Sequence, residues 1–142
     1  MAFIGIQVPQ ETAKLLSLLD VPGKKESVSH LHITLAYLGN DISMEQVLSC
    51  VVSVYSVVSN TKPFTVECDK ISTFDSDDDI PIILPIHSSE LHKLREKLCD
   101  KLEQLHVKYS KKYPEFKPHV TLSLDLSKKS SIDQLELLAR YS

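Results

Sequence analysis

The stretch "HITLAYLG" occupies residues 32–39, and a close copy, "HVTLSLDL", occupies residues 119–126. Both copies contain His-x-Thr-Leu within an apolar run of the kind that forms β-strands. A strand that only packs into a core needs neither the histidine nor the threonine. The repetition therefore indicates that these polar side chains share a task outside the core.

Side chains alternate between the two faces of a strand, which predicts the placement of each residue in the two copies. The pattern puts His32 and Thr34 on one face of the first strand, and His119 and Thr121 on one face of the second. The opposite, apolar faces are predicted to hold Leu31, Ile33, Leu35 and Tyr37 in the first copy and Val120, Leu122 and Leu124 in the second.

Two imidazoles and two hydroxyls suit phosphoryl chemistry, provided that a two-fold relation brings the copies together. A neutral imidazole can take a proton from an attacking oxygen, and an imidazolium can give one to the leaving oxygen. Histidine does both near neutral pH because its unperturbed pKa is about 6.5. The threonine hydroxyls can hold the non-bridging phosphate oxygens.

Length and composition indicate one ordinary globular domain. The chain has 142 residues, of which 42% are apolar and 25% charged, and its net charge is −3. This charge argues against broad binding of duplex nucleic acid, which needs a basic face. Three cysteines without Cys-x-x-Cys spacing predict free buried thiols in a reducing compartment. The absence of a signal peptide and of a run of about 20 apolar residues predicts a cytoplasmic protein.

The order of predicted elements indicates an internal duplication. Periodicity and turn residues predict strands at 2–8, 30–38, 63–74, 80–87 and from 119, helices at 10–20, 44–58 and 88–105, and a further strand in the tail at 131–142. The two halves align element by element, except that the second lacks the middle helix. We therefore predict a single domain, 1–142, made of pseudo-repeats at approximately 1–75 and 80–142.

With these motifs, the chain resembles the two-histidine (2H) phosphoesterases, the superfamily of RNA ligase-like proteins and cyclic phosphodiesterases. That family carries two His-x-Thr/Ser motifs on strands of a duplicated fold, here "HITL" and "HVTL". The resemblance extends to "PFTV", "FKPHVTL" and the closing segment, and the short loops are similar to those of compact viral and phage members. It implies a bilobal α+β fold with two antiparallel sheets facing across a central cleft and helices on the outside.

The resemblance also implies the roles of the motif residues. His32 and His119 would be the catalytic pair, Thr34 and Thr121 would bind the phosphate, and no metal or cofactor would be required. The substrate would be a small nucleotide or oligonucleotide, handled by a monomer without duplex nucleic acid or membrane. Three substrates stay open: a 2′,3′-cyclic phosphate, a 2′,5′-linked oligoadenylate and a cyclic oligonucleotide signal.

Two alternatives compete with this interpretation. A binding module of the same fold could have lost turnover, although all four motif residues are present. His30 shares a face with His32, so a metal site of His30, His32 and His119 is a second alternative, without a carboxylate or cysteine at ligand spacing. The loop before the second motif offers residues that could contact a nucleotide or only pack or be solvated: Lys111, Lys112, Tyr113, Phe116 and Lys117.

Overall fold

The computed structural model describes residues 1–74 and 79–125, and within these ranges it contains seven strands and three α-helices. The strands are β1 (Ala2–Gln7), β2 (Lys24–Lys25), β3 (His32–Gly39), β4 (Glu67–Cys68), β5 (Ser72–Thr73), β6 (Ile80–His87) and β7 (His119–Asp125). The helices are α1 (Gln10–Ser17), α2 (Met44–Val58) and α3 (Ser89–Gln104), and a 3₁₀ turn spans Val28–His30. The predicted α+β class is confirmed; the strand predicted at 131–142 lies outside the described residues.

Serine hydroxyls cap the starts of the two longer helices. The backbone N–H of Gln46 donates to the Ser43 hydroxyl at 3.2 Å at the start of α2, and that of Leu91 donates to the Ser88 hydroxyl at 3.1 Å at the start of α3. Both contacts satisfy donors that the first helical turn leaves unpaired. The buried stripe of α3 follows the predicted helical spacing and consists of Leu91, Leu94, Leu98 and Leu102.

Tertiary contacts divide the chain into two compact units. The first, here called the helical unit, comprises Met1–Gly5, Thr34–Glu67 and His87–Phe116, and in it α2 packs against α3. The second, the motif unit, comprises Ile6–Ile33, Cys68–Ile86 and Lys117–Ser142, and in it α1 packs against the 3₁₀ turn. Each unit takes segments from both predicted pseudo-repeats, so units and repeats do not coincide.

The described strands belong to one antiparallel sheet with the order β1-β3-β7-β6-β4, in which β2 pairs with β7 and β5 pairs with β6. The family resemblance implied two separate sheets, which is wrong for the described strands. They are continuous because the two motif strands, β3 and β7, are direct antiparallel neighbours with Ile33 opposite Val120. The residue between the histidine and the threonine of one motif thus faces its counterpart in the other, as a local two-fold relation requires.

A β-bulge interrupts the alternation of β7 directly after the motif. Ile83 of β6 lies opposite Thr121, whereas the preceding Ile82 lies opposite Ser123. Leu122 is therefore the extra residue of the bulge. From this point onward, side chains of β7 lie on the opposite face from the one that strict alternation predicts.

The predicted faces of Leu124 and Tyr37 are consequently wrong. Leu124 is 37% exposed, and the neighbouring Ser123 is fully buried in its place. In β3 the same change occurs at the same point: Leu35 and Ala36 are buried in succession, and Tyr37 is 39% exposed. The two motif strands therefore share their change of face as well as their His-x-Thr sequence.

The loop predicted before the first motif contains a short strand that the sequence analysis missed. β2 pairs with β7 and is preceded by Gly23, whose φ of +89° lies in the left-handed region. The Ser123 hydroxyl donates to the Pro22 carbonyl at 2.8 Å and holds the start of β2 against β7. Two lysines with poor β-propensity gave no sign of this strand.

The cysteine prediction is correct in part. All three cysteines are free, and Cys50 and Cys99 are buried as predicted, but Cys68 is exposed on β4. Among the described residues, none of the helices has the length and apolarity needed to span a membrane.

Candidate active site

The two motif histidines are held by the same backbone hydrogen bond. His32 Nδ1 lies 2.7 Å from the carbonyl oxygen of His30, and His119 Nδ1 lies 2.7 Å from that of Lys117. A carbonyl oxygen only accepts, so Nδ1 is the protonated nitrogen and donates in both rings. In each neutral ring Nε2 then keeps its lone pair, which leaves this nitrogen available for proton transfer.

Strand register brings three of the four predicted site residues together within the motif unit. One step from the Ile33–Val120 pair, His32 lies opposite Thr121, and both side chains are half-buried. His119 is the diagonal neighbour of His32, which corresponds to about 7–8 Å between Cα atoms. The two imidazoles and the Thr121 side chain thus stand on one face of the sheet.

Thr34, the fourth predicted residue, begins the next segment of the helical unit. It lies two residues beyond His32 in β3 and is half-buried, as His32 is. Strand alternation therefore places its side chain on the same face of β3 as that histidine. The hydroxyl occupies the position in the first motif that Thr121 occupies in the second.

The His119 ring lies in a more enclosed environment than strand position alone would give. The Phe74 ring meets it edge-to-face, with 4.6 Å between centroids and 88° between planes. Burial lowers the pKa of His119, and the nearby His32 lowers it further, while the hydrogen bond to the Lys117 carbonyl raises it. The net shift is downward, which favours the neutral ring at physiological pH.

Two of the loop residues that could have contacted a nucleotide, Phe116 and Lys111, have partners within the helical unit. The Phe116 ring lies 5.1 Å from the His92 ring and 5.2 Å from the Arg95 guanidinium. Lys111 forms an ion pair with Glu103 at 3.3 Å. These contacts favour the packing interpretation for Phe116, whereas Lys111 forms an ion pair at the surface.

No group of three or more potential metal ligands occurs in residues 1–74 and 79–125. The His30/His32/His119 alternative therefore finds no cluster in this part of the chain. The described site is composed of imidazoles, hydroxyls and the Phe74 ring, none of which is a carboxylate or thiolate ligand.

Comparison with known proteins agrees with this geometry. The family model of the 2′-5′ RNA ligase superfamily matches residues 18–142. The chain belongs to the 2′-5′ RNA ligase superfamily. The predicted 2H family is thereby confirmed, and the protein is an enzyme of the phosphoesterase type. The similarity to viral and phage members stays a prediction.

Solved structures show the same fold. TT0787 of Thermus thermophilus matches with a TM-score of 0.74 and 20% identity, over 88% of this chain and 74% of its own. E. coli LigT in complex with 3′-AMP matches with a TM-score of 0.66 and 20% identity, over 89% of this chain and 72% of its own. The curated proteins contain no match.

Sequence reasoning missed one residue in direct contact with a motif histidine. Phe74 ends the segment before the acidic stretch at 75–79, and β5, just before it, pairs with β6 rather than with the motif strand. Its contact with His119 depends on the strand order, which no local pattern reveals. The only available signal was an aromatic residue at the end of the strand predicted at 63–74.

Proposed function

We propose that the protein cleaves an RNA-type phosphodiester by general acid–base catalysis between His32 and His119, without a metal ion. The observation that carries the proposal is the matched pair of Nδ1–H···O=C hydrogen bonds, each 2.7 Å long. They make Nδ1 a donor in both rings and leave both Nε2 atoms to act on one phosphate, the neutral His119 as acceptor and the charged His32 as donor. A 2′,3′-cyclic phosphate is the substrate we favour first.

His119 is the base in this proposal. Its pKa is lowered by burial, so the ring is neutral near pH 7 and Nε2 can accept a proton from water. The water oxygen attacks phosphorus, one ring P–O bond breaks, and His32 gives its Nε2 proton to the leaving ribose oxygen. The product is a phosphomonoester with one free hydroxyl. Thr34 and Thr121 hold the non-bridging oxygens.

Structural neighbours support a nucleotide phosphate as the ligand class. E. coli LigT was crystallised with 3′-AMP, with phosphate and with ATP. A 3′-phosphorylated nucleoside is one of the two products that ring opening of a 2′,3′-cyclic phosphate gives. A 2′,5′-linked oligoadenylate or a cyclic oligonucleotide would use the same two histidines, with a ribose hydroxyl or water as nucleophile.

The first prediction concerns turnover in the presence of EDTA. A panel of a 2′,3′-cyclic mononucleotide, a dinucleotide with a terminal 2′,3′-cyclic phosphate, 2′,5′-oligoadenylate and cyclic dinucleotides should yield at least one cleaved product. Activity should survive chelation because imidazolium and hydroxyls neutralise the phosphate. The measurement is product formation by chromatography.

Two outcomes would contradict the proposal. Tight binding of a panel member without cleavage would favour the silent binding module. Loss of activity on chelation, with recovery by one specific metal, would favour the site formed by His30, His32 and His119.

The pH profile of kcat/KM should be bell-shaped, because His119 must be neutral and His32 must be protonated. Activity rises as His119 loses its proton, and because its pKa lies below 6.5 this limb should lie below that pH. A flat profile from about pH 5 to 9, with chemistry rate-limiting, would contradict the paired roles.

A further inference from the structure

Cross-strand register identifies which residues share the face of the motif histidines. Along β6, Pro85 lies opposite His119 and Pro81 lies opposite Leu124. Pro81 and Pro85 are four residues apart in one strand, so they share a face. Leu124 therefore shares the face of His119, because the bulge in β7 has brought it there.

The same register extends to β2. Lys24 lies opposite Leu124, and Lys25 lies opposite Ser123. Directly opposite residues point to the same side of a sheet. Lys24 thus lies on the face of His119, whereas Lys25 lies on the face of the buried Ser123.

The contacts of the two lysines agree with this division. Lys25 Nζ donates to the carbonyl of Ser17 at 3.1 Å, which engages it with the end of α1. Lys24 is exposed, and its side chain has no hydrogen bond or ion pair within residues 1–74 and 79–125. Among the described residues, the Lys24 ammonium group therefore has no side-chain partner on the face of the motif histidines, in a chain whose net charge is −3.

We propose that Lys24 binds a second, non-scissile phosphate, so that the preferred substrate is an oligonucleotide end rather than a mononucleotide. This inference rests on the proposed function and specifies its substrate class. Because Leu122 is the extra residue of the bulge, Leu124 lies only two paired positions beyond Thr121 along the sheet. Two rises of about 3.3 Å separate these positions by about 7 Å. A phosphate held by Thr121 and the histidines therefore leaves Lys24 beside the next phosphate along the strand.

The test is equilibrium binding of two product-like ligands to the wild-type protein and to matched variants. Adenosine 3′-monophosphate carries one phosphate; adenylyl-adenosine 3′-phosphate carries the same end and an internucleotide phosphate. Lys24→Gln should raise the Kd of the dinucleotide about tenfold, typical of a hydrogen bond to a charged group, and change that of the mononucleotide by less than about twofold. Lys25→Gln is the control and should change neither.

Salt dependence gives an independent readout. Removing one phosphate contact should reduce the slope of log Kd against log salt for the dinucleotide by about 0.7. Lys24→Arg should restore both affinity and slope, because it retains the charge. The proposal is overturned if Lys24→Gln weakens the binding of both ligands equally or of neither. It is also overturned if Lys25→Gln weakens the dinucleotide to the same extent, or if the wild-type protein binds neither ligand.

The same preparations separate this proposal from the proposed function. Wild-type protein is assayed for cleavage of the dinucleotide with a terminal 2′,3′-cyclic phosphate. If the wild-type protein cleaves this dinucleotide but Lys24→Gln does not change the Kd of the product-like dinucleotide, the catalytic proposal is retained and the second-phosphate site is overturned. Lys24-dependent binding of the product-like dinucleotide without turnover of any panel member supports the second-phosphate site and contradicts the catalytic proposal.

Discussion

Replacing His119 or His32 by alanine is expected to reduce kcat by about 10²- to 10⁴-fold, the range typical of a general acid or base. Each change removes one Nε2 and therefore one of the two proton carriers. Substrate affinity should be largely retained, because the threonine hydroxyls and the other imidazole still contact the phosphate. Thr34→Ala and Thr121→Ala should be milder, since both proton carriers remain.

A matched variant separates chemistry from structure at the same position. In the wild type, His119 Nδ1 donates to the Lys117 carbonyl at 2.7 Å. In His119→Asn the side-chain amide can donate to the same carbonyl, but the amide has no nitrogen that titrates. It should be as inactive as His119→Ala and should keep the wild-type stability within about 1 kcal/mol. Near wild-type activity of His119→Asn, or unfolding of both variants, would show that the histidine has a structural role instead.

Gly23→Ala should cause the largest loss of stability, at least about 3 kcal/mol in the free energy of unfolding. A Cβ at this position would lie 2.7 Å from the carbonyl carbon of Leu124 and 2.8 Å from the Cα of Asp125. Both are backbone atoms of β7, which cannot move without disturbing the motif strand. The left-handed φ of Gly23 adds about 1–2 kcal/mol of strain.

Gly39 provides the control for this prediction. Its φ of +87° matches that of Gly23, but nothing lies within 4 Å of the place its Cβ would occupy. Gly39→Ala should therefore cost only the conformational strain, about 1–2 kcal/mol. Urea unfolding of both variants measures the difference, and equal losses would show that the close approach of Gly23 to β7 does not matter.

Elements of the fold could be predicted from the sequence where the local residue pattern matches the burial that tertiary packing imposes. The leucine stripe of α3 predicted its buried face, because helical periodicity survives burial on one side. The capping spacing of Ser43 and Gln46 marks the start of α2 through a short-range hydrogen bond. Strand alternation correctly predicted the face on which the histidine and threonine of each motif lie. It fails only beyond the threonine of each motif.

Sequence reasoning failed where placement depends on a neighbouring strand. The bulge at Leu122 arises from the register of β6 on β7, so alternation alone assigned Leu124 to the wrong face. β2 escaped notice because its lysines form a strand only through pairing with β7. Phe74 and Lys24 joined the catalytic face for the same reason, since partners far along the chain place them there.

The central claim is that the two His-x-Thr motifs form one acid–base site, and the kcat of the His32→Ala/His119→Ala double variant tests it most directly. Residues that act on one phosphate as a unit do not lose activity additively. The double variant should therefore be within about threefold of the less active single variant. If the two losses instead multiply to their full product, the histidines act independently, and the account of one shared site is wrong.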